Sequence, residues 1–202
     1  MGPGISVVCF TGREHTGGIR EAGLMVSDQP GESLVRALVD GEIDAAVRGS
    51  LPSSTTLRAL KDAAGVDHLL RIAILSPPNG KKFLLAPVGV DEGWTVADKL
   101  ELVERGRELA ARLGLGREVA VLSGGRLGDV GRHPAVDRTL ADAELVARLS
   151  GATHREILLE DAIGTSGMIL APDGISGNLI FRTLVFLGGG RAYGAPVVNI
   201  DR

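Results

Sequence analysis

The sequence predicts an α/β fold built on a mostly parallel β-sheet with an antiparallel addition. Short apolar runs alternate with segments in which apolar residues recur at helical spacing, an order typical of parallel sheets. The clearest example is the apolar run Met168–Leu170, which is followed by a Pro-Asp-Gly turn and by helical spacing through Leu187. Two further apolar runs, 69–75 and 82–88, are joined by a turn that contains Pro, Asn and Gly, and they predict the antiparallel pair.

Length and composition limit the class of protein. The 202 residues suffice for one large domain or two small ones, and 44% apolar residues can build a core. The net charge of −3 argues against a nucleic-acid partner, and no apolar run approaches the ~20 residues that span a membrane. The one cysteine, Cys9, lies in an apolar run without a basic leader, so we expect a cytoplasmic protein. The scarcity of Asn and Gln beside many Glu and Arg indicates either a thermophilic source or GC-rich coding.

The first third of the chain is expected to hold two strands and two helices. A strand at Ile5–Phe10 leads into a polar loop over residues 11–18. A helix at Gly31–Val39 and a strand at Ile43–Val47 follow, and a polar loop over residues 48–55 leads into the next helix. The loop after each strand would lie at a carboxyl end, where α/β sheets bind ligands.

The remainder of the chain continues the alternation of helices and strands. The predicted elements are a helix, a strand, a glycine-rich loop, a helix and a strand, at residues 95–113, 119–122, 123–132, 139–149 and 156–159. Thr95 is expected to cap its helix, and Gly114 is expected to stop it. The last strand–loop–helix unit then begins at Met168 and ends at three glycines, 188–190.

Three polar loops are the candidate binding sites. The first has hydroxyl groups that could hold a phosphate, with Arg58 in the helix that follows; a helix cap and a solvated arginine are the alternative. The glycines and arginines of the loop over 123–132 suit a phosphate or CoA-like polyanion, or else form a mobile surface loop. In the third loop, polar side chains at the helix start could cap free N–H groups or meet an anion. The candidate ligand-binding residues are Ser50, Ser53, Ser54, Arg58, Ser123, Gly124, Arg126, Asp173, Ser176 and Asn178.

Several common site motifs are missing from the sequence. Neither the Gly-x-Gly-x-x-Gly fingerprint nor a Walker-type Gly-Lys-Ser/Thr occurs. There is no Gly-x-Ser-x-Gly elbow, which weakens a hydrolase interpretation. The four histidines are scattered without a zinc-ligand spacing, so we expect no metal site.

Four segments, in order, resemble the phosphate acetyl/butyryltransferases. They are Gly41-Glu-Ile-Asp-Ala-Ala-Val-Arg-Gly49 with its Ser53–Arg58 loop, Val119-Ala-Val-Leu-Ser123, Pro172–Asn178, and Ala192-Tyr-Gly-Ala-Pro196. The resemblance covers most of residues 31–202. A methanogen branch of that superfamily, the MtxX-like methanogenesis marker proteins, is similar in Leu122–Arg126 and Ala171–Asn178. That branch is labelled "putative methyltransferase", although no loop here has the arrangement of an S-adenosylmethionine site.

The resemblance implies a three-layer fold like that of the isocitrate and isopropylmalate dehydrogenases, with two lobes, a ligand cleft between them and a homodimeric assembly. A shortened lobe I would comprise residues 1–68 and 190–202, and lobe II residues 69–189. Arg58 would contact phosphate, and the Asp173–Asn178 loop would line the cleft, with CoA or an acyl phosphate as possible substrate and no cofactor assigned. The catalytic Ser-Arg of the family aligns with Asp201-Arg202, so Arg58, Asp201 and Arg202 are the catalytic candidates.

Three functions remain open at this point. The first is a phosphate acyltransferase-like enzyme that passes an acyl group between CoA and phosphate in methanogens. The second is a non-catalytic binding or regulatory protein, which the missing Ser-Arg favours because an oxyanion needs a placed donor. The third is a methyltransferase, as the label of the branch states.

Overall fold

The computed structural model describes residues 6–12 and 23–200. The chain divides into two compact units, Met1–His68 and Leu69–Arg202. Residues 13–18 of the loop predicted over 11–18 lie outside the described residues, as do the catalytic candidates Asp201 and Arg202.

The first unit holds a two-stranded sheet and two helices. Strand β1 (Val8–Thr11) pairs in parallel with β2 (Gly23–Val26). Helix α1 (Pro30–Val39) packs against α2 (Ser53–Ala64). Both helices were predicted from apolar periodicity, and both predictions are confirmed.

The strand predicted at Ile43–Val47 is wrong. These residues form bends and irregular chain, and Val47 is 87% exposed. A strand needs a neighbour for its backbone hydrogen bonds, and none of the described strands pairs with this segment. Conversely, β2 escaped prediction because all four of its residues are exposed, so no half-buried alternation marks it in the sequence.

The second unit is built around a six-stranded sheet. Its strands are β3 (Ala73–Ser76), β4 (Phe83–Ala86), β5 (Val119–Val121), β6 (Thr153–His154), β7 (Met168–Leu170) and β8 (Arg191–Ala192). They lie in the order β6-β5-β7-β4-β3-β8. The first four in that order are parallel to one another, whereas β3 is antiparallel to β4 and to β8. The predicted mostly parallel sheet and its antiparallel addition are therefore confirmed.

Helices cover both faces of this sheet. They are α3 (Val96–Arg112), α4 (Pro134–Ser150), α5 (Leu159–Ala162) and α6 (Gly174–Arg182), with a π-helical continuation at Thr183–Leu187. Alternate strand residues face opposite ways: Leu84 packs in the same core cluster as the residues of α3 and α4, and its neighbour Phe83 in the cluster covered by α5 and α6. The second unit thus has three layers.

Local signals set the ends of α3 as predicted. The Thr95 hydroxyl accepts the N–H of Asp98 at 3.1 Å, and the Asp98 carboxylate accepts the N–H of Thr95 at 3.3 Å. This reciprocal capping satisfies two N–H groups that have no partner inside the helix. At the other end Gly114 takes a φ of +66°, a left-handed conformation that glycine adopts without a steric penalty.

Two other boundaries differ from the prediction. The strand expected at 156–159 lies earlier, at β6, and Leu159 already begins α5. Glu156 takes a φ of +54°, which interrupts an extended chain at that point. Helix α4 begins before Thr139 because His133 caps it and Pro134 occupies its first turn.

The end of the described chain runs along the edge of the sheet. Beyond β8, the backbone N–H of Ile72 donates to the carbonyl of Pro196, and Arg71 bridges to Val197. The predicted lobe boundaries, which group this segment with residues 1–68, stay a prediction. None of the described helices is both long enough and apolar enough to cross a membrane.

Candidate functional site

The carboxyl ends of β4, β5 and β7 lie at one edge of the six-stranded sheet, called the carboxyl edge below. From β5 the chain continues into α4, whose Val146 packs into the core on one face. From β7 it continues into α6, whose Ile180 packs against the core on the other face. Because β5 and β7 are neighbours, their outgoing connections separate here, and α/β sheets bind ligands in the crevice that such a separation opens.

The loop after β5, residues 123–132, is held by hydrogen bonds within the unit. The backbone N–H of Gly124 donates to Thr139 Oγ1 at 2.8 Å, and that of Leu127 to Glu156 Oε1 at 2.8 Å. The N–H of Gly131 donates to Asp137 Oδ1 at 2.8 Å. Since these amides already have acceptors, an anion at this loop would depend on side chains.

Asp129 closes the same loop. Its carboxylate accepts the backbone N–H of Arg126 at 2.9 Å and Nη1 of Arg132 at 2.5 Å. The backbone hydrogen bond from Arg126, followed by that from Arg132, holds the pKa of Asp129 below its ordinary value. Arg132 is therefore bonded to Asp129, whereas Arg126 is an exposed guanidinium at the carboxyl edge whose charge also acts on Asp129.

Ser123 belongs to a chain of three polar side chains under this loop. Ser123 is 1% exposed. Its Oγ lies 2.8 Å from the Gly125 carbonyl oxygen and 2.8 Å from Nε2 of His154. Nδ1 of His154 lies 2.7 Å from Oε1 of Glu144. Sequence reasoning singled out Ser123 but missed His154 and Glu144, because parallel pairing of β5 with β6 and packing of α4 bring the three together.

The turn before α6 is capped by Asp173. Its Oδ1 accepts the N–H of Ser176 at 2.8 Å, and the N–H of Gly174 donates to the Glu92 carbonyl at 3.1 Å. The prediction that Ser176 and Asn178 stand at or before the helix start is wrong, since both lie inside α6. Asn178 instead donates from Nδ2 to the Val88 carbonyl at 2.9 Å.

Two glycines let α6 lie directly against the loop that follows β4. A Cβ added at Gly174 would stand 1.6 Å from the Gly89 carbonyl oxygen, and one at Gly177 would stand 1.9 Å from that of Pro87. Both obstacles are backbone atoms, which cannot rotate away as a side chain can. These glycines therefore set how closely the loops after β4 and β7 approach at the carboxyl edge.

A buried ion pair supports the same loop. Oε1 of Glu92 lies 2.5 Å from Nε of Arg71, and Oε2 accepts the backbone N–H groups of Arg71 and Gly89 at 3.2 Å each. The Glu92 side chain is 1% exposed, so its charge is compensated by these bonds rather than by water. The sequence carries no signal for this pair, because its members are 21 residues apart and fit no motif.

The candidates of the first unit lie on α2 and just before it. Ser50 is exposed in a turn, and Ser53 and Ser54 begin α2, which has no side-chain cap. Arg58 is exposed and lines a groove of about 600 Å³ between α1 and α2. The other charged side chains that line the groove are Glu32, Arg36 and Asp62. Because the two carboxylates offset the two guanidinium groups, this groove has no strong preference for an anion.

The structure thus brings together the candidates on the loops after β5 and β7, whereas Ser50, Ser53, Ser54 and Arg58 belong to the other unit. Among the described residues, no group of three or more His, Cys, Asp or Glu side chains is placed to hold a metal ion.

Comparison with curated proteins finds close relatives in methanogens. The chain is 49% identical over 180 residues to "Putative methyltransferase mtx subunit X" of Methanosarcina barkeri, covering 87% of this chain and 66% of the relative. It is 52% identical over 177 residues to the protein of the same name from Methanosarcina acetivorans, covering 85% and 63%. An "uncharacterized methyltransferase" of Methanocaldococcus jannaschii is 40% identical over 195 residues, covering 90% and 78%. The chain therefore spans just under two thirds of the length of the Methanosarcina relatives. No protein-family model matches it.

Solved structures with the same fold are phosphotransacylases. A branched-chain phosphotransacylase from Enterococcus faecalis matches with a TM-score of 0.71 at 17% identity, covering 99% of this chain and 80% of that one. A phosphotransacetylase from Streptococcus pyogenes matches with a TM-score of 0.61 at 16% identity, covering 93% and 74%. At these identities the likeness establishes the fold alone.

Proposed function

We propose, from the premise that this chain belongs to the family of the proteins named "putative methyltransferase mtx subunit X", that it binds a CoA-type or other phosphate-bearing ligand at the carboxyl edge. The observation that carries the proposal is the separation of α4 and α6 from the neighbouring strands β5 and β7. The reaction we propose is transfer of an acyl group from the CoA sulfur to a phosphate oxygen, as the names of the phosphotransacylases suggest.

Arg126 is the residue on which this proposal depends most. It is exposed at the carboxyl edge, and guanidinium is suited to phosphate oxygens because its donors form a planar fork. Asp173 and Asn178 support the opposite side of the crevice through the cap of α6 and the bond to Val88. In the first unit, Arg58 is the proposed contact for inorganic phosphate through its guanidinium group alone, since the charges of the groove around it are balanced. That the candidates on the loops after β5 and β7 and those on α2 share one cleft between two lobes stays a prediction.

Binding is tested by thermal unfolding and calorimetric titration with CoA, acetyl-CoA and inorganic phosphate. A ligand at 100 times its Kd stabilises the folded state by about 2.7 kcal/mol, which corresponds to a rise in Tm of roughly 5–11 °C for a chain of this size. Arg126→Ala should weaken CoA binding about tenfold or more, the effect of losing a hydrogen bond to a charged group.

Arg117→Ala is the matched control for this variant. Arg117 is also exposed, but it precedes β5 and therefore lies at the amino end of the same strand. Its loss should leave CoA affinity unchanged. Equal losses in both variants, or no rise in Tm with any of the three ligands, would contradict the proposal.

Turnover separates an enzyme from a binding protein. Phosphate-dependent consumption of acetyl-CoA that falls in Arg58→Ala supports acyl transfer. Stabilisation by CoA without any consumption supports the non-catalytic, regulatory alternative instead.

Methyl transfer is the second candidate, and the names of the relatives favour it. It predicts a rise in Tm with S-adenosylmethionine or with a methyl-corrinoid. A Tm that neither ligand changes would exclude methyl transfer.

We also propose that the protein is a homodimer that associates through α6 and its π-helical continuation. Exposed apolar side chains recur along this segment, at Ile175, Leu179, Phe186 and Leu187. Light scattering should report a dimer that Leu179→Lys dissociates, whereas Leu145→Lys, at a similarly exposed position on α4, should leave it intact. A monomer in the unmodified protein would refute this assembly. The cytoplasmic location, the thermophilic source and the role in methanogenesis stay predictions.

A further inference from the structure

Ser123, His154 and Glu144 form a hydrogen-bonded chain to which the proposed function assigns no role. The chain runs from the exposed Glu144 carboxylate on α4, through the His154 ring on β6, to the buried Ser123 hydroxyl after β5. The two bonds to the ring measure 2.7 and 2.8 Å. The hydroxyl also lies 2.8 Å from the carbonyl oxygen of Gly125.

The donor and acceptor chemistry of the five atoms involved restricts where the hydrogens can lie when all three bonds are present. The Gly125 carbonyl only accepts, so the hydroxyl of Ser123 donates to it. Oγ must then accept from Nε2–H of His154. An ionised Glu144 carboxylate likewise only accepts, so Nδ1 must carry a hydrogen as well. All three bonds exist together only when both nitrogens of His154 are protonated.

This arrangement differs from that of an activated nucleophile. In a nucleophilic serine, the histidine accepts the hydroxyl proton, whereas in the doubly protonated state of His154 Nε2 donates towards Ser123. Ser123 is also 1% exposed and its hydrogen points to the Gly125 carbonyl. The chain therefore acts on the loop above it, not on a substrate.

The charged groups around the ring are few and have defined roles. Glu144 is the carboxylate bonded to it, from α4. On the segment after β6, the Arg155 side chain is exposed and the Glu156 carboxylate accepts the N–H of Leu127. At the far end of the loop, Nδ1 of His133 accepts the N–H of Ala135 at 3.1 Å and so carries no hydrogen.

We propose that Ser123, His154 and Glu144 are a proton-dependent latch on the turn 124–126. When His154 loses the proton on Nε2 to solvent, the Ser123 hydroxyl turns its hydrogen from the Gly125 carbonyl to Nε2. The Gly125 carbonyl then loses its bond to Ser123, and the peptide unit that it shares with Arg126 is held at one end only, by the bond from the Arg126 N–H to Asp129. The turn that presents Arg126 is therefore closed while His154 is doubly protonated and loosens as the pH rises. The further statement that ligand affinity follows the latch rests on the proposed function.

The latch is tested first without any ligand, by NMR on protein labelled with ¹⁵N and ¹³C. Nitrogen shifts of the His154 ring report its protons, and the exchange of the Arg126 amide, corrected for the intrinsic effect of pH, reports the turn. Protection of that amide should fall roughly tenfold as His154 loses a proton, the change expected from loss of one hydrogen bond in a charged chain. A His154 ring with a single N–H while the Arg126 amide is protected would overturn the proposal.

Variants separate the latch from a general effect of pH. Glu144→Gln removes the charge that favours the doubly protonated ring, so the turn should loosen at lower pH than in the unmodified protein. Ser123→Ala should lower the protection of the Arg126 amide and make it independent of the protonation of His154, because only the bond to Asp129 then holds the turn. His133→Asn keeps a cap on α4 and should leave the pH response unchanged. If His133→Asn abolished the pH response of the turn, the response would belong to His133 rather than His154, and the proposal would be overturned. If Ser123→Ala does not fold, the proposal is decided in the unmodified protein, by whether protection of the Arg126 amide follows the protonation of His154.

Ligand titrations then distinguish this inference from the proposed function. CoA affinity that falls with rising pH in step with the titration of His154 supports both. A turn that opens as expected in a protein that binds no phosphate-bearing ligand supports the latch and refutes the binding proposal. CoA binding by a protein in which protection of the Arg126 amide does not depend on the protonation of His154 supports the binding proposal and refutes the latch.

Discussion

Replacing Gly177 by alanine tests whether the close approach of α6 to the loop after β4 holds the carboxyl edge together. In an ordinary helix, Gly→Ala stabilises by roughly 0.5–1 kcal/mol because it lowers the entropy of the unfolded chain. At Gly177 the sign should reverse. The new Cβ would stand 1.9 Å from the Pro87 carbonyl oxygen, where real contacts essentially never fall below 3.0 Å.

The size of the effect follows from that gap. Restoring a 3.0 Å contact requires a shift of about 1.1 Å, the difference between 3.0 and 1.9 Å, and the obstacle is backbone. Overpacking of this kind costs about 1–3 kcal/mol. The same shift would stretch the bond from Asn178 to the Val88 carbonyl, which adds about 1 kcal/mol. A total of about 2–4 kcal/mol lowers Tm by roughly 4–16 °C in a chain of this length.

The measurement is the midpoint of thermal unfolding, with urea unfolding as a second measure of stability. Gly128→Ala is the matched control, because a Cβ at Gly128 meets no atom within 4 Å. Its Tm should stay the same or rise slightly. A Gly177→Ala variant as stable as Gly128→Ala would refute the reasoning and would show that α6 does not lie this close to the loop.

Three further predictions concern single side chains. Glu92→Ala should cost about 3–5 kcal/mol in urea unfolding because it removes the buried acceptor of the Arg71 guanidinium and of two backbone N–H groups. Asp91→Ala removes only an 83% exposed carboxylate 3.4 Å from the same guanidinium and should cost less than about 1 kcal/mol. The pKa of Asp129 is lower in the folded protein than its ordinary value of 3.8. Its contribution to the free energy of unfolding is therefore present above pH 3.8 and is lost as the pH falls from there through the pKa of the folded state. Asp129→Asn should therefore remove part of the acid dependence of stability in that window, and an unchanged profile would contradict it. Thr95→Ala should cost about 1 kcal/mol through loss of the α3 cap, whereas Thr95→Ser, which keeps the hydroxyl, should be close to the unmodified protein in Tm.

Periodic patterns in the sequence sufficed for much of the fold. The strand Met168–Leu170 has the predicted bounds, and the Thr95 cap and the antiparallel pair of β3 and β4 are where the pattern placed them. The prediction at Ile43–Val47 failed because apolar residues alone do not say whether a neighbouring strand is present to pair with. The prediction at 156–159 failed because the strand lies at Thr153–His154 and the positive φ of Glu156 interrupts the extended chain.

The candidate site could be predicted only in part for the same reason. Its loops were recognisable, since glycine and short polar residues after an apolar run mark a strand-to-helix turn wherever they occur. The hydrogen bonds within the site could not be predicted, because the order of the strands brings Arg71 to Glu92 and Ser123 to His154.

Local patterns in the sequence account for the alternation of strands and helices, the mostly parallel sheet and the turns that flank it, because helix periodicity, caps and glycine conformations act over a few residues. Only the folded chain shows that the amides of Gly124 and Leu127 are already bonded and that His154 lies between Ser123 and Glu144. Such contacts join residues far apart in the chain, and their geometry exists only once the sheet has set which strands are neighbours.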